Sequence, residues 1–132
     1  RGPGVKPGSS CTQPASLIDV YPSLVDLAGL KVPGWLDGKS IKPQLKDPST
    51  PRPPAISSYG EGNTSIRTEH WRYIRYEDGS EELYDHRVDP DEWTNLANKQ
   101  GHEKTKRKLV KMIPADQHPG LKVQDWFDKF QK

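Results

Sequence analysis

Cys11 is the only cysteine of the chain. A lone cysteine closes no internal disulfide and builds no multi-cysteine zinc site, which leaves a nucleophile or a small loop residue as its roles. The histidines at 70, 86, 102 and 118 are scattered, and no two of them have the i, i+4 spacing that puts a pair of metal ligands on one helix face. Asp89 and Asp91 have the opening of a calcium loop, but the later Gly and Glu of such a loop are absent, so a turn with a helix cap is the better account. Gly2 to Ser9 has the composition of a phosphate loop without the G-x-x-x-x-G-K-S/T spacing. These residues therefore assign no metal ligand.

Other residues point to recognition. Lys104, Lys106, Arg107, Lys108 and Lys111 form a run that could attract a sulfated polysaccharide or another polyanion, the alternative being a solvated helix face. Trp71, Tyr73 and Tyr76 stand near Arg67, Arg72 and Arg75, a mixture able to stack on a sugar or a base, although packing in a sheet accounts for it equally well. Asn63-Thr64-Ser65 fits the glycosylation acceptor pattern and suggests an exposed loop.

The elements that must position these side chains follow from periodicity and punctuation. Residues 1–12 are a Gly/Pro/Ser-rich loop. Over residues 13–46 the pattern predicts a strand from Gln13 to Ile18, Asp19 as a helix cap, and a helix from Val20 to Ala28 with Pro22 in its first turn and Gly29 as its stop. A turn at Asp37-Gly38 follows, then a short helical turn capped by Ser40. Prolines 48, 51, 53 and 54 make residues 47–54 a linker. Residues 55–113 read as strands at Ala55–Tyr59, Ser65–Thr68, Trp71–Glu77 and Glu82–Asp85, with a hairpin turn at Asp78-Gly79, a turn and helix start at Asp89 to Glu92, and a helix from Glu103 to Met112. Residues 114–132 are a polar tail except for Trp126, Phe127 and Phe130. The expected fold is α+β: a small four-stranded antiparallel sheet packed with one or two helices.

Composition narrows the function. Only 31% of the 132 residues are hydrophobic, against roughly 45–50% in a typical globular domain, so the core is small. The net charge of +2 gives no reason to expect nucleic acid or an anionic membrane as partner, and no apolar run reaches the roughly 18 residues of a membrane span. Arg1-Gly2-Pro3-Gly4 is neither a signal peptide nor an initiator, so the start of the protein is expected upstream.

Several stretches, in this order, resemble the C-terminal region of sulfatases. Arg1-Gly2-Pro3-Gly4-Val5 is similar to the segment leaving the catalytic domain of that family, Ser16 to Leu24 and Leu27-Ala28-Gly29 to its "SLIDLYPTL…LAG" strand and helix, and Asp37-Gly38-Lys39-Ser40-Ile41 to its "DGKSL" turn. The most diagnostic part is Ser65-Ile66-Arg67-Thr68, Arg72 to Tyr76, Glu82-Leu83-Tyr84-Asp85, Asp89-Pro90 and Asn95-Leu96-Ala97, and within it the run from Ser65-Ile66-Arg67-Thr68 to Arg72-Tyr73-Ile74 points to the iduronate-2-sulfatase-like members.

The resemblance implies a division of labour. A large N-terminal α/β domain of the alkaline-phosphatase type carries a formylglycine, calcium ligands and sulfate-binding Lys and His; the formylglycine hydrate attacks sulfur, the alcohol leaves, and the sulfated enzyme releases sulfate. The nucleophile motif places Pro or Ala two residues, and Arg four residues, after its Cys or Ser. Here Gln13 and Ala15 occupy those positions after Cys11, so no catalytic residue is expected, the fragment alone is expected to be inactive, and calcium and formylglycine belong to the missing domain. The C-terminal region packs on that domain and lends loops to the substrate entrance. Tyr59, Asn63, Arg67 and His70 are the candidates for the substrate side, with sulfated carbohydrate as the ligand. The Arg67 guanidinium can hold a uronate carboxylate or a sulfate by paired hydrogen bonds, or tie the sheet to the large domain through a carboxylate. Family resemblance also implies a periplasmic, lysosomal or extracellular setting, and the isolated fragment is expected to expose an apolar patch and to be able to dimerise. The rival readings are a phosphodiesterase or phosphonate hydrolase of the same superfamily and a free-standing polyanion- or carbohydrate-binding module.

Overall fold

The computed structural model describes residues 5–115. Expectations for Arg1 to Gly4, His118 and the apolar residues Trp126, Phe127 and Phe130 lie outside the described residues. The chain divides into two compact units between Ala55 and Ile56.

In the first unit a 3-10 turn, Leu17–Asp19, runs into helix α1, Val20–Leu27, and a short helix α2, Lys42–Lys46, follows. The strand expected over Gln13 to Ile18 is not formed. Among the described residues no strand pairs with it, and the Asp19 carboxylate reaches back to the Ser16 amide at 2.8 Å, which tightens the segment into a turn. Asp19 therefore holds the turn and makes no side-chain bond to the first turn of α1. Gly29, at φ +73°, ends α1 as expected, with the Leu30 amide donating to the Val25 carbonyl and the Gly29 amide to that of Asp26, the paired bonds of a Schellman stop.

The polar side of α1 is the side that faces the unit. The Asp19 carboxylate accepts from the Lys39 amide at 2.8 Å and pairs with Arg52 at 2.9 Å, both side chains being largely buried. The Arg52 guanidinium also donates to the carbonyls of Lys39 and Ser40 and to Gln44. Asp26 takes Ser40 Oγ and Lys42 Nζ at 2.7 Å each, and Ser23 Oγ accepts the Ile41 amide. Gly38 makes this approach possible, since a Cβ there would stand 2.0 Å from the Ile18 carbonyl oxygen. Residues 47–54 contain no regular element, but Gln44 donates to the carbonyls of Thr50 and Pro51, and the Arg52 amide donates to Gln13. Meanwhile Leu17, Val20, Tyr21, Leu24 and Leu27 are each at least 50% exposed.

The second unit is a four-stranded sheet in the order β1 (Ala55–Tyr59), β2 (Asn63–Arg67), β3 (Trp71–Arg75), β4 (Glu81–Asp85), followed by helix α3 (Glu103–Val110). The antiparallel registers place Ile66 opposite Tyr73 and Tyr73 opposite Leu83, a fully buried row across three strands. Side chains alternate across a pleated strand, so this row defines the apolar face, and Ala97 and Leu109 complete its core. The fold is the expected α+β arrangement.

Two local expectations are corrected. The hairpin expected at Asp78-Gly79 forms between β3 and β4, but not through the primed two-residue turn that such a pair favours: the Gly79 amide donates to the Tyr76 carbonyl, and of the loop residues Gly79 alone has positive φ, +82°. Asp78 accepts the Ser80 amide instead of adopting a left-handed conformation. No helix starts after Asp89 either, because its carboxylate captures the Trp93 and Thr94 amides and closes the segment into a loop.

Candidate functional site

The face of the sheet opposite the core carries the row Arg67, Arg72 and Tyr84, one residue from each of β2, β3 and β4. Arg67 and Arg72 are directly opposed. Like charges at that position repel at a Cβ separation of roughly 5 Å, so the pair requires counter-charge. Arg72 has it: its Nη1 lies 3.1 and 3.3 Å from the two carboxylate oxygens of Glu92. Glu92 also receives His86 Nε2 at 2.7 Å. Arg67 is served less well, since its Nη1 is buried without a hydrogen-bond partner. Burial holds the Arg67 pKa below the usual arginine value, with Glu92 opposing that shift and Arg72 adding to it. Arginine stays protonated through such a shift, so the result is a desolvated cation with a donor to spare.

Glu92 reaches this position through a backbone that glycine would adopt more readily. Its φ is +61°, the only positive value among the described non-glycine residues. The loop that imposes it is anchored at both ends, by the Asp89 amide on the Asp85 carbonyl and by the Asp89 carboxylate on the amides of Trp93 and Thr94. Unfavourable φ held by a surrounding network, next to paired charges, is the kind of outlier from which a functional hypothesis runs. Trp93, the next residue, is 85% exposed.

A second cluster lies at the same end of the sheet. Arg87 forks onto Asp85 with bonds of 2.8 and 2.6 Å, and this pairing, first of several causes, holds the Asp85 carboxyl below the ordinary aspartate value. The Arg87 guanidinium also sits 5.2 Å from the centre of the Trp71 ring, which meets His102 edge-on.

The four residues expected on the substrate side do not converge. Arg67 and His70 lie at one end of β2, and the His70 carbonyl accepts the His86 amide, which keeps His70 near the Arg72–Glu92–His86 group. Tyr59 and Asn63 lie at the other end, four residues or roughly 13 Å away along the strand. Asn63 spends its amide within the hairpin end, donating to the Glu61 carbonyl and accepting the Glu77 amide. It lines a depression of about 560 Å³ with Tyr76, Glu77, Asp78 and Ser80, whose carboxylates disfavour a sulfate or uronate there. Tyr59 is exposed. Of the companions of Arg67, Arg72 enters the sequence reading only in the mixture with Trp71, Tyr73 and Tyr76, and Glu92 and His86 have no ligand signal there. Strand register sets Arg72 opposite Arg67, and a strained loop supplies Glu92, which has no residue-pattern signal.

Among the described residues no three of His, Cys, Asp or Glu come together to hold a metal. Cys11 is exposed, and its thiol donates to the Pro48 carbonyl at 3.3 Å.

Comparison with known proteins gives the family of the chain. Residues 2–118 match the family model described as N-sulphoglucosamine sulphohydrolase, C-terminal. Arylsulfatase K of Homo sapiens is 39% identical over 114 residues, covering 74% of this chain and 21% of that protein. A sulfatase of Formosa agariphila is 37% identical over 98 residues, covering 74% of this chain and 19% of its own length. The chain thus spans about a fifth of the length of the curated relatives it matches. A structure solved with its substrate D-glucosamine-2-N,6-O-disulfate superposes with a TM-score of 0.71 at 28% identity, over 83% of this chain and 25% of that one. A 2-O glycosaminoglycan sulfatase superposes with a TM-score of 0.70 at 25% identity, over 99% of this chain and 29% of that one. A phosphonate monoester hydrolase from Silicibacter pomeroyi, at 24% identity, a TM-score of 0.67 and coverage of 86% and 27%, shares the fold alone.

Proposed function

Since this chain belongs to the sulfatase C-terminal family, we propose that it serves as the C-terminal part of a sulfuric ester hydrolase acting on sulfated carbohydrate, where it shapes the substrate entrance and contributes no reacting group. One observation carries this reading: the apolar side of α1, with Leu17, Val20, Tyr21, Leu24 and Leu27 exposed, while its polar side is the one bonded into its own unit. A helix of this kind is half of an interface. The large catalytic domain of the same protein is its proposed partner, because the matched relatives are about five times longer than the stretch they share with this chain. An isolated fragment would have this face free for dimerisation.

Calcium and formylglycine belong, in this proposal, to the large domain, and the setting is periplasmic, lysosomal or extracellular. The likeness to a 2-O glycosaminoglycan sulfatase supports an iduronate-2-sulfatase-like substrate, with the sulfate at a uronate 2-position. Arg67 is proposed to face that uronate, its guanidinium donating to the carboxylate or the sulfate. The test is Arg67→Lys in the full-length protein, which keeps the charge but loses the fork. A rise in KM for a sulfated uronate saccharide of at least ~10-fold, equivalent to about 1.4 kcal/mol, with unchanged thermal stability is the expected result. A fall in stability with KM unchanged would transfer Arg67 to domain docking, and no change in either would remove it from both roles.

A further inference from the structure

One charged surface lies outside the site just described. Helix α3 is set on the sheet by its apolar side: Leu109 is buried, Val110 and Ile113 pack against the core, and Lys106 Nζ is bonded to Glu81 at 2.7 Å. These residues recur at i, i+3, i+4 and i+7 from position 106. Moving two residues along a helix turns through about 200°, so the same series begun at Lys104 lies on the far side. It reads Lys104, Arg107, Lys108 and Lys111, four cations in about 10 Å of helix. All four are exposed, none is in an ion pair among the described residues, and together they line a depression of about 350 Å³.

The helix itself accounts for only part of this stripe. Cations near the C-terminus favour the negative end of the helix dipole, which covers Arg107 and Lys108 in the last turn and Lys111 at the C-cap. Lys104 is in the first turn, where a positive charge is opposed by that dipole. The neighbouring acid does not neutralise it, since the Glu103 carboxylate is turned to the Gly101 amide. Glu103, four residues before Arg107, is the one acid of α3, and no acid stands between Lys104 and Lys111 to interleave with the four cations.

We infer that the outer side of α3 is a secondary binding site for a sulfated polysaccharide chain, separate from the Arg67 site, which retains long substrates on the enzyme. The inference rests on the proposed sulfatase reading for the choice of ligand, and its test has a readout independent of turnover. Heparin binding by the full-length protein is compared with that of a variant carrying Lys104→Gln, Arg107→Gln, Lys108→Gln and Lys111→Gln, substitutions that keep helix propensity and remove only charge. The expected result is a loss of heparin affinity of at least ~10-fold at moderate salt. The salt slope of log affinity should be shallower by about 3, near 0.7 per charge removed as for a flexible single-stranded polyanion. Turnover of a short sulfated saccharide should stay unchanged while KM for the long chain rises. The companion variant Lys104→Arg, Lys108→Arg, Lys111→Arg should retain heparin binding. Unchanged heparin affinity in the Gln variant overturns the inference, as does equal affinity of the native protein for polyglutamate of matched charge. Failure to hydrolyse any sulfated saccharide would sink the proposed function instead, and heparin affinity would still decide this site.

Discussion

Two replacements of Glu92 separate backbone strain from electrostatics at the candidate site. A side chain at φ +61° costs about 1–2 kcal/mol, so by backbone alone Glu92→Gly is stabilising. Against that stand the bonds of the carboxylate. The Arg72 side chain is 40% exposed, and its pairing with Glu92 is screened to about 0.5 kcal/mol. The His86 side chain is 15% exposed, and its 2.7 Å bond contributes about 1–1.5 kcal/mol. Loss of the counter-charge beside the opposed Arg67 and Arg72 adds a few tenths of a kcal/mol. Glu92→Gln keeps the strained backbone and loses the charge, for a net cost of about 2 kcal/mol, whereas relief of strain leaves Glu92→Gly within about 1 kcal/mol of the native protein.

Hydrogen exchange of the Trp93 and Thr94 amides, both held by Asp89, reads the opening of this loop directly. About 2 kcal/mol corresponds to roughly 30-fold faster exchange in the Gln variant, against less than about 5-fold in the Gly variant. Both variants remove the same counter-charge, so any effect on the KM of an anionic substrate should be shared by them. Equal acceleration in the two would refute storage of strain at position 92, and no acceleration in either would refute the carboxylate as the clamp.

The remaining expectations concern the frame around the site. Arg52→Met strands the largely buried Asp19 carboxylate, and should cost about 3–5 kcal/mol, read as a loss of exchange protection at the Lys39 and Ser16 amides; a change below about 1 kcal/mol would show the pair to be dispensable. Gly38→Ala drives a Cβ into the Ile18 carbonyl and should cost about 1–3 kcal/mol in thermal or urea unfolding, while Gly34→Ala, with open space at its Cβ, serves as the control and should stay near native. The Glu81 carboxyl is held below its ordinary value of 4.5, first by Lys106 and then by Tyr73. Because the folded state binds that proton less tightly than the unfolded chain, the associated stability is present above about pH 4.5 and is lost as pH falls through the lower folded-state value. Glu81→Gln should therefore flatten the acid limb of melting temperature against pH, and an unchanged limb would discount the contribution.

The sheet was legible because each of its cues was local. Alternation over Trp71 to Tyr76 assigns Tyr73 to one face and Arg72 to the other, and the observed registers keep that assignment. Gln13 to Ile18 has equally strand-like residues, but a strand also needs a neighbour, and Asp19 offered the Ser16 amide a closer partner. The acidic run after Asp89 reads as a helix start for the same local reasons, yet the Asp89 carboxylate takes amides four and five residues on and closes a loop. At the site, chemistry identified Arg67, while strand geometry decided its company: residues two turns of the pleat apart, such as Asn63 and Arg67, are held apart, and residues distant in sequence, such as Arg67 and Arg72, are brought face to face.

Helix α1 shows what periodicity can and cannot decide. The spacing of Val20, Tyr21, Leu24 and Leu27 is that of an amphipathic helix, and the helix forms where expected. Periodicity alone would have that apolar side turned inward. Instead Asp19, Ser23 and Asp26 face the unit, latched by Lys39, Ser40, Ile41 and Lys42, and the apolar side is exposed. Polar latching of this kind holds a helix in place with little apolar burial, and so frees its apolar side for a different surface. A hydrophobic pattern specifies that a face will be covered, not by what. The polar residues opposite it are spent within this unit and leave the apolar side uncovered there, and the length of the related proteins supplies the proposed cover.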